Sequence, residues 1–121
     1  MNSISVVIPV YNEAKILHIF LMYLQEMNSK NIMEFLVVDG QSTDDSKAIV
    51  LEFSKKYTKF KGIDSPKGRA VQMNTAAAQA KGTILYFLHA DSLPPKEFDA
   101  HILKAVGNGS KSGCFKMKFD S

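Results

Sequence analysis

Apolar residues in this chain alternate between short continuous runs and stretches in which they return every three or four residues. Ile4 to Val10 is a β-branched run that stops at Pro9-Val10-Tyr11-Asn12, and Ile16, Leu17, Phe20, Leu21, Leu24 and Met27 then follow at helical spacing. The same change recurs three more times. Runs near Glu34 to Asp39, Lys59 to Asp64 and Thr83 to Leu88 each lead into helical segments, near Asp44 to Tyr57, Arg69 to Ala80 and Ser92 to Val106. Four such units predict an α/β domain with a mostly parallel sheet. At 121 residues and 45% hydrophobic content, one domain with a real core is expected.

Local signals mark the boundaries. Asn12 is the expected N-cap of the first helix, while Ser42 and Asp45 fit a capping box for the second, with Asp44 near the positive end of its dipole. Ser65-Pro66-Lys67-Gly68 turns the chain into the third helix, whose Ala70, Met73, Ala77 and Ala80 form a shallow face suited to close approach to a sheet. Lys81-Gly82 ends that helix, and Ser92 with Pro94-Pro95 opens the next. Cys114 to Phe119 alternates as a half-exposed strand. A last strand without a covering segment is expected in part of a larger unit or on one side of an oligomer.

The charge balance excludes more than it selects. The net charge of +3 comes mainly from Lys55, Lys56, Lys59 and Lys61 and from Lys111, Lys116 and Lys118. These lysines form a solvated face, or they attract phosphates or an anionic membrane surface; a peripheral membrane contact stays open. No aromatic-interleaved basic stripe, helix-turn-helix or zinc signature argues for nucleic acid, and neither His18 nor His101 has a second ligand at useful spacing. No apolar run approaches the roughly 18 residues of a membrane span, and no cleavable leader pattern opens the chain. Cys114 is the single cysteine, which rules out an internal disulfide; a cytoplasmic location is expected.

Two of the apolar runs end on acids. Phe35 to Val38 runs into Asp39, and Ile84 to Leu88 runs through His89-Ala90 into Asp91. In an open α/β sheet, ligands bind outside the carboxyl ends of the strands, so both acids mark a candidate site. Neither G-x-G-x-x-G nor G-x-x-x-x-G-K-[ST] occurs, and the Asp39 to Asp45 stretch carries its glycine second rather than sixth, unlike an EF-hand. Helix capping accounts for Ser42 to Asp45 but not for Asp39. His89 either orients a substrate or fills the mouth of its strand.

Four blocks resemble, in order and spacing, family 2 glycosyltransferases of the GT-A fold: Ser5 to Glu13, Val37 to Asp44, Gly68-Arg69 through Asn74, and Tyr86 to Asp91. The Gly-Arg-x-x-Gln-x-Asn and Phe-Leu-His-Ala-Asp forms look most like a small bacterial subgroup of such transferases. The resemblance implies a three-layer α/β/α, Rossmann-like domain with strand order 3-2-1-4 and a switch point between the first and fourth strands. It further implies a nucleotide diphosphate sugar as donor, UDP-linked by family habit, an unidentified acceptor, and Mg2+ or Mn2+ as cofactor. Pro9, Tyr11, Glu13, Asp39, Arg69, His89, Ala90 and Asp91 would contact the nucleotide, with Tyr11 stacking on the base, Asp39 accepting from it, and Asp91 holding the metal. Glu13 would face ribose or simply favour the helix dipole. The chain departs from the family at His89, where the first acid of the D-x-D motif usually stands, which puts that acid's ribose contact in question.

Transfer with inversion needs a general base for the acceptor hydroxyl, and none stands out: after Asp91 the carboxylates are Glu97, Asp99 and Asp120. The expectation is a single nucleotide-sugar-binding domain over residues 1–121, the donor half of a longer transferase, with the acceptor half and catalytic base elsewhere. The alternative is a binding module without turnover. A sugar nucleotidyltransferase would carry a glycine-rich, arginine-containing loop where Tyr11-Asn12-Glu13 stands.

Overall fold

The computed structural model describes residues 3–90, 94, 96–107 and 115–117. Along the chain lie β1 (Ile4–Val10), α1 (Ala14–Glu26), β2 (Ile32–Asp39), α2 (Ser46–Lys56), β3 (Phe60–Asp64), α3 (Arg69–Gln79), β4 (Ile84–Phe87), α4 (Phe98–Gly107) and β5 (Phe115–Met117). The strands form one sheet in the order β3-β2-β1-β4-β5. The first four are parallel, and β5 runs antiparallel beside β4. The chain steps outward from β1 to β2 and β3, then crosses back to lay β4 on the other side of β1. That reversal puts the switch point between β1 and β4, as expected.

The continuous apolar runs are buried on both faces because helices cover both. Ile4, Val6, Ile8 and Val10 point to a core shared with Leu17, Phe20, Leu21 and Leu24 of α1, Val50 and Phe53 of α2, and Phe98 and Ile102 of α4. Val7, Leu36, Val38, Ile63 and Leu85 point the other way, onto Ala76 and Ala80 at α3. Phe35 stacks on Phe60 at 4.2 Å, and Phe53 meets Phe60 edge-on at 4.8 Å, which fastens the outer strand β3 to α2. Such ring pairs add about 0.5–1.5 kcal/mol each beyond area burial. No helix among the described residues is long and apolar enough to cross a membrane.

Several local expectations are corrected. Ile16 lies at the edge of α1, 39% exposed, because Leu17, Phe20, Leu21 and Leu24 centre the buried stripe one residue further on. On α3 the buried line is Gln72 and Ala76, continued four residues on by Ala80 at the C-cap, and Ala70 is exposed. Asn12 does not cap α1, whose N-cap is Glu13, and Ser42 with Asp45 forms no capping box, because α2 begins at Ser46 and Asp45 makes no side-chain capping bond. Nor are all the lysines a free solvated face. The Lys59 ammonium donates to Asn28 Oδ1 and to the carbonyls of Ser29 and Ile32, closing the turn between α1 and β2.

One buried polar network holds the opposite end of the sheet. Glu34 on β2 is 1% exposed and accepts from the Ser5 hydroxyl (2.7 Å), the Lys81 amide (2.6 Å) and the Lys61 ammonium (3.2 Å). Ser5 Oγ in turn accepts from the Gly82 amide at 2.8 Å. The approach is so close that a Cβ on Gly82 would lie 2.7 Å from Ser5 Oγ and 2.8 Å from its backbone nitrogen. Burial is the largest influence on the Glu34 carboxyl and pushes its pKa up, but the three donors together outweigh it and hold the group below its ordinary value.

Candidate functional site

At the carboxyl end of the sheet, two loops leave neighbouring strands and fasten each other. The loop after β1 contains Asn12 with φ of 53°, and the loop after β2 contains Gln41 with φ of 67°; both are left-handed positions. Asn12 Oδ1 accepts from the amides of Thr43 (2.7 Å) and Asp44 (3.3 Å), while the Asn12 amide donates to Ser42 Oγ (2.9 Å). Free amides at the start of α1 are then satisfied from the other loop: Glu13 N–H donates to Ser46 Oγ and Ala14 N–H to Asp44 Oδ2. Asp44 Oδ1 also accepts from the Ser46 amide at the start of α2, so one carboxylate faces two positive helix ends. Bonding from the Ser46 side chain, and also from the Ser46 and Ala14 amides, holds the Asp44 carboxyl below its ordinary range.

This lock reaches Asp39. The Ser42 hydroxyl donates to Asp39 Oδ1 (2.6 Å) and the Ser42 amide to Oδ2 (3.0 Å), so the carboxylate at the end of β2 is aimed by the loop that follows it. Asp39 is 5% exposed and borders a cavity of about 510 Å3 together with Gln41, Lys47 and Asp64. Asp64 ends β3 in register with Asp39 and pairs with the Lys47 ammonium at 3.1 Å.

The switch point holds a second, smaller cavity of about 230 Å3. Pro9 and Tyr11 reach it from the end of β1, His89 and Ala90 from beyond β4, Glu13 from the start of α1, and Lys67, Gly68, Arg69 and Gln72 from the turn into α3. Gly68 has φ of 134°, a conformation open to glycine, and this bend brings both cations to the cavity. The Lys67 ammonium lies 4.3 Å from the centroid of the Tyr11 ring. Gln72, buried beneath, donates through Nε2 to the carbonyls of Val10 (2.9 Å) and Val38 (2.8 Å), binding the last turns of β1 and β2 to α3. Its amide also fills the space beside Gly40, where a Cβ would come within 2.7 Å of it.

Seven of the eight residues expected at the site therefore gather at one end of the sheet: Pro9, Tyr11, Glu13, Arg69, His89 and Ala90 around the switch point, and Asp39 in the adjoining hollow. The eighth, Asp91, lies outside the described residues, as do Cys114 and Asp120. Among the described residues no three His, Cys, Asp or Glu side chains gather as metal ligands. Lys47, Asp64, Lys67 and Gln72 were not among the expected site residues. The one sequence signal for Lys67 is its place with Arg69 in a Pro-Lys-Gly-Arg turn, two cations within three residues of a helix start.

A larger hollow, about 660 Å3, lies between the end of α1 and the start of α4. Its buried acid is already used: Asp99 Oδ2 accepts from the Ser29 hydroxyl (2.6 Å) and from Asn31 Nδ2 (3.0 Å). Burial acts most strongly on the Asp99 carboxyl and upward, yet these bonds hold it below its ordinary value.

Comparison with known proteins adds independent findings. The family profile described as "Glycosyl transferase family 2" matches residues 5–116. Glycosyltransferase AglE of Haloferax volcanii is 36% identical over 98 residues, covering 78% of this chain and 32% of its own length. Mannosyltransferase PcManGT from Pyrobaculum calidifontis, solved with GDP-Man and Mn2+, superposes with a TM-score of 0.72 at 27% identity, over 85% of this chain and 32% of that one. TarS of S. aureus in complex with UDP-GlcNAc superposes with a TM-score of 0.67 at 26% identity, over 88% and 31%. The chain spans about a third of the length of the relatives it matches.

Proposed function

The chain belongs to glycosyl transferase family 2 and has its α/β fold, and from that premise we propose that residues 1–121 are a nucleotide-sugar-binding domain serving sugar transfer to an acceptor hydroxyl. The observation that carries this reading is the convergence of Tyr11, Arg69 and the residues after β4 on the switch-point cavity, with Asp39 in the adjoining hollow. In this reading the donor's base stacks on Tyr11 and presents a ring N–H to Asp39. An ionised carboxylate offers about four lone-pair sites, and Ser42 uses two of those on Asp39, so acceptor capacity is left for the base. Pro9 shapes the turn beneath the base, Glu13 faces the ribose, and the Arg69 guanidinium fork suits paired phosphate oxygens. His89 and Ala90 border the diphosphate and lead into Asp91, which would hold Mg2+ or Mn2+. When bound, that ion neutralises charge growing on the leaving nucleoside diphosphate.

The reaction proposed is direct displacement with inversion at the anomeric carbon. It requires a base to take the acceptor's proton, and no residue of this chain is assigned that role. The same gap favours a second reading, donor binding without turnover by these residues alone. Titration with UDP-sugars and with GDP-mannose in the presence of Mn2+, followed by a sugar-release assay on the same sample, separates the two. Saturable binding is expected, and Asp39→Asn and Arg69→Ala are each expected to weaken it about tenfold, the scale of one charged hydrogen bond. Binding without sugar release supports the second reading. Failure to bind any nucleoside diphosphate refutes both.

A further inference from the structure

The Tyr11 ring, which the donor reading assigns to base stacking, already carries a partner on one face. The Lys67 ammonium sits 4.3 Å from the ring centroid, within the range of a cation–π contact. Among the described residues Lys67 makes no ion pair, and no carboxylate holds it in place. Lys67 is itself exposed, and it stands next to Gly68, whose φ of 134° belongs to a turn rather than to the helix. The ammonium is therefore tethered only by a flexible stem and by the ring.

We infer that Lys67 is a determinant of donor recognition that exchanges partners on binding: it covers Tyr11 in the free protein and moves to the donor's diphosphate when a base takes the ring. This inference rests on the donor reading above. Charge supports the exchange. Lys67 and Arg69 bring two cations to the cavity, with Glu13 as the one carboxylate among its described lining residues, and paired cations complement a diphosphate. Geometry supports it as well, because the turn that places Lys67 over the ring also places Arg69 at the same cavity. A base and an ammonium cannot occupy one face of Tyr11 together, whereas an ammonium released from the ring stays within reach of the cavity it lines.

The two halves of the exchange act in opposite directions on different ligands. Removing the cation frees the ring for a bare nucleoside but takes a charged partner from the diphosphate. Calorimetric or NMR titration of Lys67→Met with uridine and with UDP is the test, with guanosine and GDP run alongside. The expected result is UDP affinity reduced about tenfold, uridine affinity unchanged or raised, and recovery of the diphosphate preference in Lys67→Arg. An unaltered ratio of UDP to uridine affinity in Lys67→Met, while the wild type binds UDP, overturns this inference and leaves the donor reading standing. An equal loss for both ligands also overturns it. A wild type that binds no nucleoside diphosphate overturns the donor reading and this inference with it.

Discussion

Replacing Glu34 by glutamine keeps the shape of a buried side chain and removes its charge. Glu34 Oε2 accepts from the Ser5 hydroxyl and the Lys81 amide, and Oε1 from the Lys61 ammonium. A glutamine can present its oxygen to the first two donors, but its NH2 group then faces Lys61. A hydrogen bond to a charged acceptor contributes about 1 kcal/mol more than a neutral one, so two lose that margin. The Lys61 pair adds little, because its lysine side chain is 45% exposed and solvent screens it. The expected cost is about 2 kcal/mol, or roughly 6–10 °C in Tm for a domain of this size. Urea unfolding at pH 7 measures it.

The sign of the pH dependence supplies a second check. Since the folded-state pKa of Glu34 lies below the ordinary 4.5, its contribution is fully present above that value and is lost as pH falls through the lower folded value. Asp99 is depressed in the same direction, so the wild type loses stability in acid for more than one reason. The difference between wild type and Glu34→Gln isolates this one group, and it should shrink as pH falls below the ordinary 4.5. A variant within about 0.5 kcal/mol of wild type at pH 7, the range of ordinary surface changes, refutes the account of the network. A gap that stays constant from neutral pH into acid refutes the account of the charge.

Asn12→Gly keeps the left-handed backbone position and deletes the amide that receives the Thr43 and Asp44 amides. It is expected to cost about 1–2 kcal/mol by thermal melting and to weaken nucleotide binding through misplacement of Tyr11 relative to Asp39. Gln72→Leu removes two bonds to the carbonyls of Val10 and Val38 in a buried site. A loss of about 2–4 kcal/mol in urea unfolding is expected, since both acceptors stay buried. Stability at the wild-type level would mean that the helix, and not its glutamine, holds the strand ends together.

What was legible in the sequence is the part set by local periodicity. Continuous β-branched runs announce strands covered on both faces, and the helical stripes between them announce the layers. Asp39 stands out because a run ends on it. The errors lie where polar side chains serve a distant loop. A capping signal is a rule about residues three apart, so it assigns Asn12 to the helix it precedes and Ser42 to its own helix. Once β1 and β2 are adjacent, the two loops are within reach of each other, and each can satisfy amides in the other. Asn12 and Thr43 are 31 positions apart in sequence and 2.7 Å apart in space. Gln72 is missed for a related reason: no local signal says that a helix side chain will donate to the carbonyls of Val10 and Val38, which only the fold brings beneath it.

The residues that bond between the two loops are not incidental to the candidate site. Tyr11 and Asp39 follow from their own strands, but their separation is set by Asn12, Ser42, Asp44 and Gln72, all of which act across the gap between β1 and β2. A local reading can therefore name the groups that would touch a nucleotide while missing those that hold them at a fixed distance. The two kinds of residue should separate experimentally. Changes at Tyr11 or Arg69 should alter binding with little effect on stability, because both lie at the cavity surface, whereas changes at Asn12 or Gln72 should alter both together, because the same bonds hold the fold and aim the site.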